Sequence, residues 1–234
     1  MTIFGVAYGI GFDRYQWFPY SLARHFYLQL PFSQNPMRAA GNLEYIQSRT
    51  AFFRQIVGKS DVIMLGASLT EQAGDWRDFF PDLDVRNRGV GGDTTKGILD
   101  RLDEVLSRQP RVVALLIGLN DVRMGVDHDT IVSNIKQTLL RLKQAGVRPI
   151  MQSTLPPSAR LREWNAAAAV RKLNSILKEC CATEGIDFLD LNEVLAPSGA
   201  LDEAFTTDGI HLRLTAYQIW GAALNPVLRR ALEN

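Results

Sequence analysis

DVIMLGASLT, residues 61–70, is the stretch from which the fold is read. Its first half is an unbroken apolar run, Val62 to Leu65, too short for a buried helix and closed by Gly66. That is the pattern of a strand covered on both faces. Its second half turns polar at once and places Ser68 just beyond the strand end. The same order recurs along the chain. Arg111–Gly118 (RVVALLIG), Val147–Ser153 (VRPIMQS) and Ile186–Leu191 (IDFLDL) read as further buried strands, and Asp84–Asn87 (DVRN) as a weaker one. Between them lie stretches of helical period at about Thr94–Ser107, Asp129–Ala145, Asn165–Glu184 and Thr215–Leu232. A further helix over Asn42–Val57 leads into the first strand. Asp93 stands as N-cap before Thr94, and Gly146 and Gly185 stand where helix C-caps fall. Strict alternation of strand and helix predicts an α/β fold, a parallel sheet with helices on both faces.

The composition bounds what this domain does. A length of 234 residues suits one domain with a single core, or one domain with an extension. With 46% hydrophobic and 22% charged residues the chain reads as a soluble globular protein. Lys+Arg 26 against Asp+Glu 25 gives no pull toward nucleic acid or an anionic membrane. The only cysteines, Cys180 and Cys181, are adjacent, so they read as ordinary helix residues rather than a disulfide or a metal site. Residues 1–37 read as an aromatic-rich arm with Pro19 and Pro31, and residues 38–234 as the domain. Met1 to Phe12 is apolar, but Asp13 and Arg14 end the run short of the roughly 20 residues that a span requires. It also lacks the basic start and cleavage site of a signal peptide. Two readings stand, an arm packed on the domain or a segment touching a membrane. The expected location is accordingly cytoplasmic or peripheral to a membrane, and oligomeric state has no signature in the sequence.

In an open parallel sheet, ligands bind where the loops gather beyond the strands' carboxyl ends. Reading off those loops gives Ser68, then Gly89-Val90-Gly91-Gly92-Asp93, then Asn120-Asp121, then Leu155-Pro156-Pro157, then Asp208-Gly209-Ile210-His211. Taken singly these have plain explanations: a turn serine, a tight glycine loop, a helix-entry cap, an isolated D-x-x-H. Together they are the parts of acyl transfer. A serine hydroxyl needs a base, imidazole supplies one, and a carboxylate fixes the imidazole. Backbone N–H groups and an amide can hold the oxyanion. Of the three histidines, His25 lies in the aromatic arm and His128 lies between two aspartates at a helix start. His211, three residues after Asp208, is the one placed to serve.

These blocks, in this order, resemble the GDSL/SGNH hydrolase superfamily. Gly66-Ala67-Ser68-Leu69-Thr70 resembles its first block, and Asn87-Arg88-Gly89-Val90-Gly91-Gly92-Asp93-Thr94-Thr95 its second. Gly118-Leu119-Asn120-Asp121 resembles the third, and Thr207-Asp208-Gly209-Ile210-His211-Leu212 the last. The likeness runs from about Asn42 to Leu224. It is nearest the branch of platelet-activating-factor acetylhydrolase-like and carbohydrate O-acetylesterase-like proteins. The resemblance implies a three-layer α/β/α sandwich of about five parallel strands in flavodoxin-like order. It implies Ser68 as nucleophile, Asp208 and His211 as its partners, and Ser68, Gly92 and Asn120 as oxyanion donors. The substrate it implies is a small-molecule acyl ester, first an acetyl ester on a sugar and second a lysophospholipid or thioester. No metal or organic cofactor is required, and no nucleic-acid partner is expected. The apolar arm mildly favours a lipid-like or membrane-adjacent role. One position departs from the family, Ala67, where Asp or Asn usually precedes the serine; Ala cannot brace the nucleophile turn, which leaves a weakened binding module as an alternative. A nucleotide site at Gly89–Gly92 is the rival from another class, although the third glycine of the dinucleotide motif and a Walker Gly-Lys are absent.

Overall fold

A computed structural model describes residues 36–56 and 58–233 of the chain. The expectations for Met1–Phe12 and for His25, Pro19 and Pro31 fall outside the described residues. Two units are distinguished, Met1–Gly41 and Asn42–Asn234, and the second holds the sheet.

Helix α1 (Pro36–Gln55) precedes β1 (Val62–Gly66), the short helix α2 (Ser68–Gln72) and β2 (Val85–Gly89). Then come α3 (Thr95–Asp100), α4 (Leu102–Leu106), β3 (Val112–Leu116), α5 (Leu119–Arg123), α6 (His128–Gln144) and β4 (Arg148–Gln152). The chain closes with α7 (Ala166–Glu184), β5 (Asp187–Leu189), α8 (Asn192–Leu195) and α9 (Leu214–Glu233). Single 3₁₀ turns lie at Trp76–Asp78 and Glu203–Phe205, and a kinked 3₁₀ segment at Ala159–Trp164. The five strands are all parallel in the order β2-β1-β3-β4-β5, the flavodoxin-like order that the resemblance implies.

Because successive strand side chains point to opposite faces, each buried strand feeds two cores. Val62, Met64, Val112, Ala114, Leu116 and Ile150 point to one face, where they meet Trp76, Tyr217, Trp220 and the length of α9. Ile63, Leu65, Val113, Leu115 and Met151 point to the other, against Ile98, Leu102, Ile131, Ile135 and Leu177 of the crossover helices. Every residue of β1 and β3 is buried, which is why both read as continuous apolar runs.

Three expectations are corrected. The weak strand Asp84–Asn87 lies at Val85–Gly89, paired along its length with β1, from Val62 with Val85 to Gly66 with Gly89. The helix expected over Thr94–Ser107 is broken at Arg101, whose backbone leaves helical geometry while its guanidinium turns inward onto Asp93. Thr94, not Asp93, caps α3 by accepting the Gly97 N–H; the Asp93 side chain accepts the N–H of Thr94 and is otherwise committed to Arg101. The glycines expected at C-caps do take positive φ, Gly146 at 76° and Gly185 at 61°. Cys180 and Cys181 sit in α7 as free thiols. Among the described residues, no helix is long and apolar enough to cross a membrane.

Candidate active site

Ser68 is the first residue of α2, directly beyond β1. Its N–H is therefore among those that a helix leaves without an internal partner. Ala67 occupies the N-cap position and makes no side-chain cap bond, as its residue type dictates. The other end of α2 is braced instead. Tyr217 Oη donates to the Leu69 carbonyl at 2.8 Å and Trp76 Nε1 to that of Thr70 at 3.1 Å. Asn87 Nδ2 reaches the carbonyls of Thr70, Glu71 and Gly74 at 2.8–3.1 Å. A five-residue helix has too few internal bonds to stand alone, and these side chains satisfy the carbonyls it leaves open. Gly89 lets β2 come this close: a Cβ there would lie 2.1 Å from the Glu71 nitrogen.

The glycine turn after β2 is pinned on both sides of one N–H. Val90 donates to the Gly66 carbonyl, Gly91 to Glu71 Oε2 at 2.8 Å, and Asp93 to the Val90 carbonyl. The N–H of Gly92, at φ 77°, has no partner among the described residues. Asn120, in the first turn of α5, donates from Nδ2 to the Asp93 carbonyl at 2.8 Å. This sets its amide beside the Gly92 turn with a second N–H in hand.

Two buried carboxylates lie behind the turn. Asp93 is fully buried and bonds Arg101 Nε at 2.7 Å, while the same guanidinium donates to the Gly66 and Arg88 carbonyls. Burial pushes the Asp93 carboxyl up against the pull of Arg101. Asp121 accepts the Thr95 N–H and, at 2.7 Å, the Thr95 hydroxyl, and burial raises it too.

The last loop brings the base. His211 Nδ1 lies 2.7 Å from Asp208 Oδ2, and His211 Nε2 lies 3.1 Å from Ser68 Oγ. Asp208 Oδ1 accepts the backbone N–H groups of Ile210 and His211, so one carboxylate closes its own turn and orients the ring. Burial works to raise the Asp208 carboxyl, but the bonds from the ring and the two N–H groups outweigh it and hold it down at about 2. Thr206 Oγ1 and the Ser158 N–H fasten the turn, to the His211 and Gly209 carbonyls.

Of the five residues singled out in the sequence, the structure joins Ser68, His211 and Asp208 by hydrogen bonds, and it sets the Asn120 amide on the carbonyl of Asp93, the residue after Gly92. Sequence reading assigned no role to Asn87, Arg101, Asp121, Trp76 or Glu71, which build the site from behind. The position of Asn87 at the strand end, of Asp121 beside Asn120, and the family-like Trp76 region after the nucleophile offered a signal.

A model of the GDSL-like lipase/acylhydrolase family matches residues 64–219. The chain is 28% identical over 186 residues to the platelet-activating factor acetylhydrolase IB subunit alpha1 of Bos taurus, covering 74% of this chain and 76% of that protein. It is 30% identical over 125 residues to N-acylneuraminate cytidylyltransferase of Streptococcus agalactiae, covering 53% of this chain but only 30% of the relative's length. In structure it is similar to a GDSL-like lipase of Bacteroides thetaiotaomicron, with TM-score 0.68 and 23% identity over 82% of this chain and 98% of that one. With its sheet order, its serine and glycine turn, and a family match that covers most of the length, the chain belongs to the GDSL-like lipase/acylhydrolase family.

Proposed function

We propose that the chain is a serine esterase that removes a short acyl group, acetyl first, from an alcohol of carbohydrate type. The observation that carries the reading is the unbroken line Asp208 Oδ2, His211, Ser68 Oγ, at 2.7 and 3.1 Å. In the proposed sequence Ser68 Oγ attacks the acyl carbonyl as its proton passes to His211 Nε2, while Asp208 stabilises the imidazolium. The oxyanion is met by the N–H groups of Ser68 and Gly92 and by the Asn120 amide. Collapse breaks the ester C–O bond, and the departing alkoxide takes the proton from His211. Water then attacks the acyl-Ser68 carbonyl, giving its proton to His211, and the acid leaves as Ser68 Oγ is reprotonated. The half-buried Ser68 and the largely exposed Asp208 leave the centre open to a bulky alcohol. The acetylhydrolase among the relatives favours acetyl, and the N-acylneuraminate cytidylyltransferase favours a carbohydrate alcohol.

The test is hydrolysis of p-nitrophenyl acetate and longer-chain esters by the wild type beside Ser68→Ala, with fluorophosphonate labelling of both. Turnover and labelling that depend on Ser68, highest for the acetyl ester, are expected. A folded wild type that neither labels nor turns over sinks the reading; a preference for long chains moves the substrate to lipid.

A further inference from the structure

The pinned glycine turn has one side chain in it. Val90 and Asp93 are held by backbone carbonyls, but Gly91 N–H is held by a carboxylate, Glu71 Oε2 at 2.8 Å. Glu71 stands three residues after Ser68 on the same short helix, so one rigid turn carries both. Its other oxygen, Oε1, accepts the Tyr45 hydroxyl at 2.5 Å and lies 3.1 Å from Arg49 Nε. Tyr45 and Arg49 are one turn apart on α1. Arg49 is itself fixed by the Phe53 ring beneath it, 4.8 Å from the guanidinium carbon to the ring centre. The Glu71 side chain is 18% exposed, so the carboxylate is shielded yet paired with a cation. The contact is tight: a Cβ on Gly91 would lie 2.9 Å from Glu71 Oε2.

We propose that Glu71 is a positioning residue for the oxyanion site: aimed by Tyr45 and Arg49, it ties the Gly91 peptide to the nucleophile helix and fixes the direction of the neighbouring Gly92 N–H. This rests on the esterase reading for its catalytic consequence. The physical reason for such a strut is that Gly91-Gly92 is the most permissive pair of backbone residues in the site. An oxyanion donor stabilises a transition state only if it is already aimed when charge develops. Backbone bonds at Val90 and Asp93 fix the ends of the turn, and Glu71 fixes its middle relative to Ser68 Oγ. It further makes α1, which lies before the first strand, part of the active-site framework.

The experiment compares Glu71→Ala, Glu71→Gln and Tyr45→Phe with the wild type, reading kcat and KM for p-nitrophenyl acetate and the inhibition constant of phenylboronic acid. The tetrahedral boronate on Ser68 places an oxygen where the oxyanion forms, so it reports donor alignment apart from ground-state binding. Glu71→Ala is expected to lower kcat by about 10- to 100-fold with KM nearly unchanged, and to weaken the boronate by a similar factor. Glu71→Gln, whose amide oxygen can still accept the Gly91 N–H, recovers most of that loss, and Tyr45→Phe lowers kcat by about 2- to 5-fold. Hydrogen exchange of the Gly91 amide, slow in the wild type and fast in Glu71→Ala, tests the tie without any turnover. If the wild type has no Ser68-dependent activity, the esterase reading has failed and the exchange alone decides the strut. If Glu71→Ala does not fold, Glu71→Gln and Tyr45→Phe carry the comparison. Wild-type kcat in folded Glu71→Ala, a kcat loss without weaker boronate binding, or unchanged Gly91 exchange overturns the proposal.

Discussion

At the residue scale, the site divides into groups that would face the reacting atoms and groups that hold them. Asn120 is the sharpest test of the first kind, because its amide already spends one N–H on the Asp93 carbonyl and has one to offer. Asn120→Ala is expected to lower kcat about 10²- to 10³-fold while KM moves little, measured by steady-state hydrolysis of p-nitrophenyl acetate. An equal rise in KM would mean that Asn120 binds the substrate uniformly instead. Ala67 is legible in the sequence as a missing brace, and it does make no cap bond. What holds the other end of α2 was not legible: Tyr217, Trp76 and Asn87 donate to its open carbonyls, Tyr217 from 148 positions away. A nearby residue type can be read for what it lacks, but a side chain brought in by the fold to brace the opposite end of the helix leaves no mark on local spacing.

At the scale of elements, the corrected helix shows how tertiary bonding overrides local pattern. Residues 94–107 carry helical periodicity throughout, yet the helix breaks where Arg101 is drawn inward to Asp93 and to the carbonyls of Gly66 and Arg88. The guanidinium ties together the end of β1, the end of β2 and the glycine turn, the three segments from which the site is made. Removing it leaves Asp93 buried without its cation. Arg101→Ala is expected to cost about 3–5 kcal/mol in urea denaturation, and Arg101→Ala with Asp93→Asn to recover part of it. A loss below about 1 kcal/mol, or a double variant no better than the single one, would show that the pair contributes little. The short helices α2 and α5 fall in stretches that the sequence reads as loops for a related reason, since five residues give no period to count.

At the scale of the whole molecule, the buried carboxylates behind the turn and the one at its mouth respond to pH in opposite senses. Asp121 is raised above 3.8 by burial, so its favourable contribution is complete below that value and is lost as pH rises through its native pKa. Asp208, held at about 2, contributes above 3.8 and loses that contribution as pH falls toward 2. The stability of the wild type relative to Asp121→Asn is therefore expected to increase as pH is lowered from about 7 to about 4, followed by thermal unfolding of both. The opposite slope would place the native pKa of Asp121 below its ordinary value. Both groups lie in the unit that carries the sheet, Asp121 in α5 just beyond β3 and Asp208 in the last loop.

The sequence by itself determined the layers, the parallel sheet and the residues of the candidate centre. Strands covered on both faces must be continuously apolar, as β1 and β3 are, and an Asp three residues before a His needs only one turn to meet it. Strand order was legible only through resemblance to a family whose order is known. The tertiary structure alone decided what holds the centre in place: the Arg101 tie, the Asn87 and Trp76 braces, and the Tyr45, Arg49, Glu71 and Gly91 chain. Most of these join separate elements, Arg101 to the Gly66 carbonyl, Asn87 to α2 and Glu71 to both Tyr45 and Gly91, and such contacts exist only once the strands have brought the loops to one edge. The residues that would do the chemistry carry their own signature, and the residues that aim them acquire theirs from the fold.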